Sequence, residues 1–216
     1  MIFTASRSMK TDYPKVIFFK RLSKYTDNKT LIDNAFDDLL NDYFAPQRHY
    51  HDFAHITNLL NLLEDNKFRI RDEDVVFFSI WFHDVIYDTW KTNNEEKSAD
   101  FAYEILRQTS MSPDRIDKVV EYINATKTHT ANGDTDLELF LDFDLSILGA
   151  EDSIYDFYAR QIRQEFHSYP NFIYNRGRKK ALRGLLEKRY IYHSDEFRRQ
   201  SEAKARGNMQ RELDTL

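Results

Sequence analysis

Residues 77–84 read Phe-Phe-Ser-Ile-Trp-Phe-His-Asp, an apolar run that ends directly in an imidazole and a carboxylate. Ionisable side chains are rarely buried unless another group pairs with them. A bound metal ion is the strongest such partner, and a second His cluster lies upstream at His49, His51 and His55. The pattern predicts a buried helix that brings His83 and Asp84 to a metal site.

The rest of the chain also favours helices. It contains 5 Gly and 4 Pro in 216 residues, too few for many short strands and tight turns. Apolar residues recur at helical spacing between capping residues, which predicts an all-α fold. The expected helices cover residues 27–45, 51–63, 72–88, 94–108, 112–127, 136–148, 151–167 and 171–189, with another from 194 onward. Asp27 is the expected cap of the first helix, and residues 126–138 are the longest expected loop.

Composition limits the classes of function. The 41% apolar residues, with 17 Phe and 13 Tyr, can form a sizeable core. A formal net charge of −5 gives no overall field to attract nucleic acid, so we expect phosphate recognition to be local. Zero Cys excludes disulfides, thiolate zinc sites and cysteine nucleophiles. No apolar run approaches about 18 residues and no signal-peptide core is visible, so we predict a cytoplasmic protein without a membrane partner.

Two segments supply imidazoles that can meet. His51 and His55 are four residues apart, so their rings can lie on one face near the start of a helix. His83 and Asp84 lie near the end of the next expected helix, and an antiparallel hairpin brings that end back to the start of the first. The spacing leaves open whether His51 or His55 is the ligand.

A further carboxylate comes from residues 140–148, where Asp142 and Asp144 interrupt another apolar run. Spacing alone does not separate these two rivals. Mixed imidazole and carboxylate ligands suit Mn, Fe, Co, Ni or Zn, with Mg as a further candidate, and they leave positions open for water. We therefore predict a catalytic centre for a divalent metal ion, with positions open for water.

Five short motifs follow one another along the chain. They are Arg48-x-Tyr50-His51-x-x-x-His55, Trp81-Phe82-His83-Asp84-x-x-Tyr87, Asn94-Glu95-x-x-Ser98-Ala99, Ala125-Thr126-Lys127-x-His129 and Leu141-Asp142-x-Asp144-Leu145. Their order resembles the HD-domain superfamily of metal-dependent phosphohydrolases, whose members place two His and two Asp on separate helices around one or two metal ions. More narrowly, residues 43–206 resemble a bacterial family of predicted HD phosphohydrolases. The resemblance implies one HD-like helical bundle over residues 1–216, with residues 1–26 and the C-terminal helix peripheral.

The resemblance also implies which side chains bind the metal. Matched by position, the ligands are His55, His83, Asp84 and Asp144. The rivals that spacing leaves open are His51 and Asp142. A second ion would recruit His129 or His51.

Phosphoryl-transfer chemistry predicts further roles. A metal ion polarises a phosphoryl oxygen and lowers the pKa of bound water. We expect Glu95 to act as general acid or base, oriented by Asn94 and Ser98, and Asp144 to be able to accept a proton. The side chains expected to contact substrate phosphate are Arg48, Lys127 and His129. The predicted function is hydrolysis of a small phosphorylated molecule, such as a nucleotide.

The basic run Arg176-Gly177-Arg178-Lys179-Lys180 favours another class of function. It can bind an anionic ligand or line a substrate entrance, although a solvated helix face is expected in a chain of net charge −5. The alternative to the enzyme is a non-catalytic HD module that binds a phosphorylated ligand or a protein partner. Retention of all four ligand types together with Glu95 favours the enzyme.

Overall fold

The computed structural model describes residues 13–216, and this part of the chain contains helices, turns and loops but no strand. Helix α1 covers residues 13–22. The other helices are α2 (Lys29–Tyr43), α3 (Phe53–Asn66), α4 (Glu73–Phe82), α5 (Asn94–Leu106), α6 (Pro113–Ala125), α7 (Thr135–Asp144), α8 (Asp152–Glu165), α9 (Asn171–Leu186) and α10 (Asp195–Thr215). Two 3-10 helices, Lys67–Arg69 and Leu145–Gly149, directly follow α3 and α7. The predicted all-α class is confirmed.

Helix α4 lies at the centre of the fold because it is apolar on nearly every side. Each of its residues from Asp74 onward is buried. It packs against α3, α5, α6 and α7. The fully buried Trp81 contacts Phe18 and Phe36, whose ring centroids lie 5.2 and 5.7 Å from its own. The rest of the core forms around this aromatic centre.

The cap expected for α2 is wrong by one residue. The side-chain oxygen of Asn28, not that of Asp27, accepts a hydrogen bond from the backbone N–H of Leu31 at 3.1 Å. An N-cap side chain must reach the second or third N–H of its helix, and Asn28 stands directly before the first helical residue. The helix still ends before Pro46, as its sequence predicts.

Helix α4 ends at Phe82, whereas its apolar pattern predicts a helix to about residue 88. His83 still donates its backbone N–H to the carbonyl of Ser79 at 2.9 Å, and the chain then turns away. Residues 83–93 form a connection longer than residues 126–134, so the longest loop within 13–216 is not the expected one. Side chains from other elements hold this loop: Ser98, for example, bonds both the N–H and the carbonyl of Ile86.

One hydrophobic cluster runs through the described chain. It includes Phe18 and Leu22 of α1 and Ala205 and Met209 of α10, all fully buried. The described part of residues 1–26 and the C-terminal helix are therefore not peripheral, because both contribute to the core. Residues 1–12 lie outside the described residues. Within 13–216, no helix has both the length and the apolar character needed to cross a bilayer.

Candidate metal centre

Three segments of the chain meet at one buried cluster of ionisable side chains. His55 lies in the first turn of α3, His83 and Asp84 directly follow α4, and Asp144 is the last residue of α7. The start of α3 lies next to the end of α4, as the sequence predicted for an antiparallel pair of helices. His55 and His83 are 3% and 1% exposed, so water is largely kept from their rings.

The four side chains point their polar atoms at one another. His55 Nε2 lies 3.2 Å from His83 Nε2 and 3.2 Å from Asp144 Oδ1. His83 Nε2 lies 3.1 Å from Asp84 Oδ2 and 3.6 Å from Asp144 Oδ1. His55 Nε2 and Asp84 Oδ2 are further apart, at 4.0 Å.

These separations suit a common metal ion. Ligand atoms about 2.1 Å from one ion, at angles of about 90 to 110°, are roughly 3.0 to 3.5 Å apart. His55, His83 and Asp144 form the compact part of the group, in which each pair of ligand atoms is close to this range. The group could bind a metal ion, and its mixed nitrogen and oxygen donors do not by themselves identify the element.

The hydrogen bonding of His83 directs its ring nitrogen toward the cluster. Its Nδ1 donates to the carbonyl of Ile80 at 2.9 Å, which leaves the lone pair of Nε2 for a cation or a proton. Burial alone would lower the pKa of His83, but the carboxylates of Asp84 and Asp144 raise it well above its usual value. The cluster therefore attracts positive charge, which a proton or a metal ion can supply.

The two carboxylates are kept ionised. Burial would raise the pKa of Asp84, but the neighbouring His83 and His51 hold it well below its usual range. Burial also opposes ionisation of Asp144, yet hydrogen bonds from His129, His55 and His83 outweigh it and hold its pKa well below normal. Such carboxylates are good metal ligands, and the expected second role of Asp144 as a proton acceptor stays a prediction from the sequence.

His129 lies beside this cluster, where its ring contacts the carboxylate of Asp144. Its Nε2 is 2.9 Å from Asp144 Oδ2, the oxygen that does not face His55 and His83. Its backbone has a positive φ of 49°, which is uncommon for a residue with a side chain. Lys188 and His193 bond the His129 carbonyl at 2.8 and 3.2 Å and help to hold this conformation.

Asp142 is not a ligand of the cluster. It is fully buried and accepts backbone N–H groups of His193 and Ser194 at 2.6 and 2.8 Å, so it holds the start of α10. Two residues along a helix correspond to a rotation of about 200°, which turns Asp142 and Asp144 to opposite faces. Because Asp142 faces the segment before α10, Asp144 is the carboxylate of this pair that faces the two histidines.

His51 stands next to the group but outside its compact part. Its Nδ1 is 2.8 Å from Glu165 Oε2, and its ring centroid is 6.0 Å from that of His55. Burial would lower the pKa of His51, but Asp84 and Glu165 raise it. His55, and not His51, belongs to the compact group of possible ligand atoms, whereas the Nδ1 of His51 is held by Glu165.

Glu165 is the residue of this region that the sequence did not point to. One of its oxygens accepts the backbone N–H groups of residues 49–51 at 2.8 to 2.9 Å. The other accepts from His51 Nδ1 and from the hydroxyl of Tyr87, at 2.8 and 2.9 Å. Glu165 thereby fixes the segment that precedes α3, from a position 114 residues further along the chain.

Arg48 occupies a different position from the one expected of a phosphate-binding residue. It is 7% exposed, and its guanidinium donates to the carbonyls of His51, Asp84 and Val85 at 2.6 to 2.9 Å. These bonds hold the backbone of Asp84 against the segment before α3. Its role in the structure is to position the cluster, because its charge is directed at carbonyl groups within the protein.

The remaining expected substrate contact lies at the surface, and the expected proton-transfer group is half-buried. Lys127 is exposed and pairs with Glu96 at 2.7 Å. Glu95 is half-buried and forms no hydrogen bond or salt bridge within residues 13–216. Asn94 and Ser98, expected to orient Glu95, instead bond the backbone of the loop that follows α4. The structure therefore does not join Glu95 to the cluster by any hydrogen bond.

The basic run of α9 divides into two parts. Arg178 is turned inward, where it binds Glu212 at 2.7 Å and Tyr158 at 3.3 Å. Arg176, Lys179 and Lys180 line a separate groove along α9 that contains none of the four cluster residues. The run is thus not part of the cluster's immediate surroundings.

No protein-family model, curated protein or solved structure matches the chain. The likeness of its motifs to HD phosphohydrolases therefore remains a prediction from the sequence. Conclusions about function rest on the geometry of the cluster and its surroundings.

Proposed function

We propose that the protein is a metal-dependent phosphohydrolase of the HD type that acts on a small phosphorylated molecule. The observation that carries the proposal is the convergence of His55, His83 and Asp144 at ligand-like separations, with Asp84 adjacent. Two imidazoles and two carboxylates in the chain order His, His-Asp, Asp match the order that the motif resemblance implies. Three or four protein ligands leave room for water and substrate, as a catalytic site requires.

In this proposal, four side chains would bind the metal ion and a fifth would transfer a proton. A bound divalent transition ion would supply Lewis-acid polarisation of a phosphoryl oxygen and a more acidic water. His55, His83, Asp84 and Asp144 would hold the ion, with His129 orienting Asp144 through its second oxygen. Glu95 remains the proposed proton-transfer group, because it is half-buried and has no hydrogen bond or salt bridge within 13–216 that would have to be broken.

A binding module is the second candidate. It is favoured by the internal use of Arg48 and by the pairing of Lys127 with Glu96, which leave fewer cations to stabilise a transition state than the sequence suggests. Such a module would still hold the metal and a phosphorylated ligand. Turnover therefore separates the two candidates, whereas metal binding supports both.

The decisive experiment combines metal analysis with an activity screen. We expect the purified protein to bind about one divalent transition ion per chain, and His83→Ala to lose most of that ion because it removes a central nitrogen ligand. Phosphate release should then be measured on nucleotides and small phosphate esters with Mn, Co, Ni, Mg or Zn added. Glu95→Gln should lower the rate at least tenfold while metal content stays unchanged.

His167→Ala is the matched control, since His167 is an exposed histidine whose ring, in the described part of the chain, bonds only the neighbouring Gln164 and Ser168. It should keep both the metal and the activity. Equal metal binding by His83→Ala and wild type would leave the cluster as a buried ion-pair network. Metal binding without any turnover, together with an inert Glu95→Gln change, would favour the binding module.

A further inference from the structure

A cleft of about 290 Å³ opens beside the cluster of His55, His83, Asp84 and Asp144. It lies between α3 and the 3-10 helix that follows α7, and His55 lines it as well as contributing to the cluster. Its volume is at the lower end of the roughly 300 to 1,000 Å³ typical of small-molecule sites. A group bound in this cleft would therefore lie next to whatever the cluster binds.

The polar groups that line the cleft are unused by the protein. Asn58, Asn61 and Ser146 line it, and within residues 13–216 their side chains make no hydrogen bond. Both Asn residues project from consecutive turns of α3 and are exposed. Amide and hydroxyl groups of this kind can donate as well as accept, so they suit a ligand with both kinds of group.

Tyr50 connects the cleft with the cluster. It lines the cleft, and its ring centroid is 5.0 Å from that of His55. Its other side packs on Tyr158, at a centroid distance of 4.6 Å, which fixes the ring. The Tyr50 hydroxyl makes no hydrogen bond within 13–216, although Asp84 and Asp144 are near enough to influence it electrostatically. It is available to a ligand that spans both regions.

The charge of the cleft restricts what it can bind. Within residues 13–216, no Lys, Arg, Asp or Glu side chain lines it. Besides Tyr50, His55 and the three polar side chains, its walls are the apolar residues Leu59, Leu62, Ile147 and Ala150. A charged group placed there would lose hydration without gaining a partner of opposite charge. An uncharged group with hydroxyl or amide functions would instead find Asn58, Asn61 and Ser146 as partners.

We propose that this cleft binds the organic part of the substrate, and that Asn58, Asn61 and Ser146 select an uncharged group bearing hydroxyl or amide functions. The proposal rests on the phosphohydrolase function, because it places the phosphate at the cluster and the remainder of the molecule in the cleft. It excludes substrates whose organic part is charged. Sugars and nucleosides share the required chemistry.

Binding to the metal-loaded protein tests the proposal without requiring turnover. The probes are phosphonate analogues of a hexose phosphate, a nucleoside monophosphate, phenyl phosphate and phosphoserine, measured by calorimetry. We expect the hexose or the nucleoside analogue to bind at least tenfold more tightly than the phenyl and phosphoserine analogues. Comparison of the first two distinguishes a sugar from a nucleoside.

Asn58→Leu and Asn61→Leu should each weaken binding of the preferred analogue by roughly tenfold and leave the phenyl analogue unaffected. The matched control is Asn34→Leu, an exposed asparagine of α2 away from the cleft, which should change neither. Equal affinity for the phosphoserine analogue, or the same loss for every analogue, would overturn the proposal. Selective binding without hydrolysis of the corresponding esters would contradict the proposed phosphohydrolase function but would support the assignment of the cleft.

Discussion

Glu165 is a buried carboxylate whose side chain is shielded from solvent and receives five hydrogen bonds. Burial would raise its pKa, but the hydrogen bond and charge of His51, together with backbone N–H groups, lower the pKa of Glu165 to about 2. Three of the donors are consecutive backbone groups, so the carboxylate fixes the chain conformation that leads into α3. Through His51 and Tyr87 it also orders side chains beside the cluster.

The first residue-scale prediction is that Glu165→Gln lowers the free energy of unfolding by roughly 2 to 3 kcal/mol at pH 7. The amide cannot accept from all five donors. Because the folded-state pKa of Glu165 lies below its usual value of about 4.5, its ionisation stabilises the fold fully above that pH. This contribution, of the order of 3 kcal/mol, is lost as the pH falls toward 2.

Urea unfolding at pH 7 and pH 3 measures this effect. The stability difference between wild type and Glu165→Gln should shrink at pH 3, where the unfolded carboxylate is already protonated. Glu64→Gln is the control, since Glu64 is exposed and its carboxylate pairs, among residues 13–216, only with Lys67. Surface pairs of that kind contribute little, so its change should stay within about 0.5 kcal/mol. A Glu165→Gln difference that is small or independent of pH would contradict the prediction.

The sequence singled out His83 and Asp84 because an imidazole and a carboxylate end an apolar helical run, a local signal, whereas only the motif resemblance favoured His55 over His51. It could not identify Glu165, which lies in an ordinary amphipathic helix and meets His51 across 114 positions of the chain. The sequence also could not show which way the Arg48 side chain points. Whether a guanidinium faces solvent or a group of carbonyls depends on the path of a loop elsewhere in the chain.

At the scale of elements, the loop after α4 carries the His-Asp doublet and is held by side chains from outside it. Arg48 bonds the carbonyls of Asp84 and Val85, and Ser98 bonds Ile86. Asn94 bonds the backbone of Asp88 at 2.9 and 3.2 Å. These contacts explain why α4 stops at Phe82 although its apolar pattern continues. Helix boundaries of this kind depend on tertiary partners, which periodicity does not report.

The element-scale prediction is that Arg48→Lys weakens metal affinity by at least tenfold. Lys keeps the charge but cannot reach three carbonyls with one planar group, so the backbone of Asp84 loses its support. A competition assay with a metal-binding dye gives the affinity. KM for a turned-over ester, measured at saturating metal, should stay close to that of wild type.

Arg107→Lys serves as the control for Arg48→Lys. Arg107 lies on the surface and pairs with Glu104 in its own helix turn, so metal affinity should be unchanged. A rise in KM without any loss of metal affinity would return Arg48 to the phosphate-binding role that the sequence suggested. Loss of metal affinity alone would establish it as a positioning residue.

At the scale of the whole molecule, the C-terminal helix closes the core behind α7. Asn208 of α10 donates to the carbonyls of Leu148 and Ala150, at 2.9 and 2.8 Å, on either side of Gly149. Asp142 in turn accepts the backbone N–H groups of His193 and Ser194, the two residues that directly precede α10. The last turn of α7 and the 3-10 helix that follows it are therefore held by α10 and by the two residues that precede α10. The sequence predicted the helix, but the high charge of this terminal segment gave no indication that it would be part of the core.

The molecule-scale prediction concerns Gly149, where this closure leaves no space for a side chain. A Cβ at that position would lie 2.6 Å from the Cβ of Ser201 and 2.9 Å from the hydroxyl of Tyr192, so Gly149→Ala must push α10 away. We expect a loss of about 1 to 3 kcal/mol in the free energy of unfolding. Gly184→Ala is the matched control, because Gly184 lies on the exposed side of α9 with no atom within 4 Å of an added Cβ. Replacing a helical glycine there should stabilise the protein by roughly 0.5 to 1 kcal/mol. The midpoints of thermal and urea unfolding should therefore fall for Gly149→Ala and rise for Gly184→Ala. If the Gly149→Ala protein is as stable as the Gly184→Ala protein, α10 does not pack against Gly149 as closely as described.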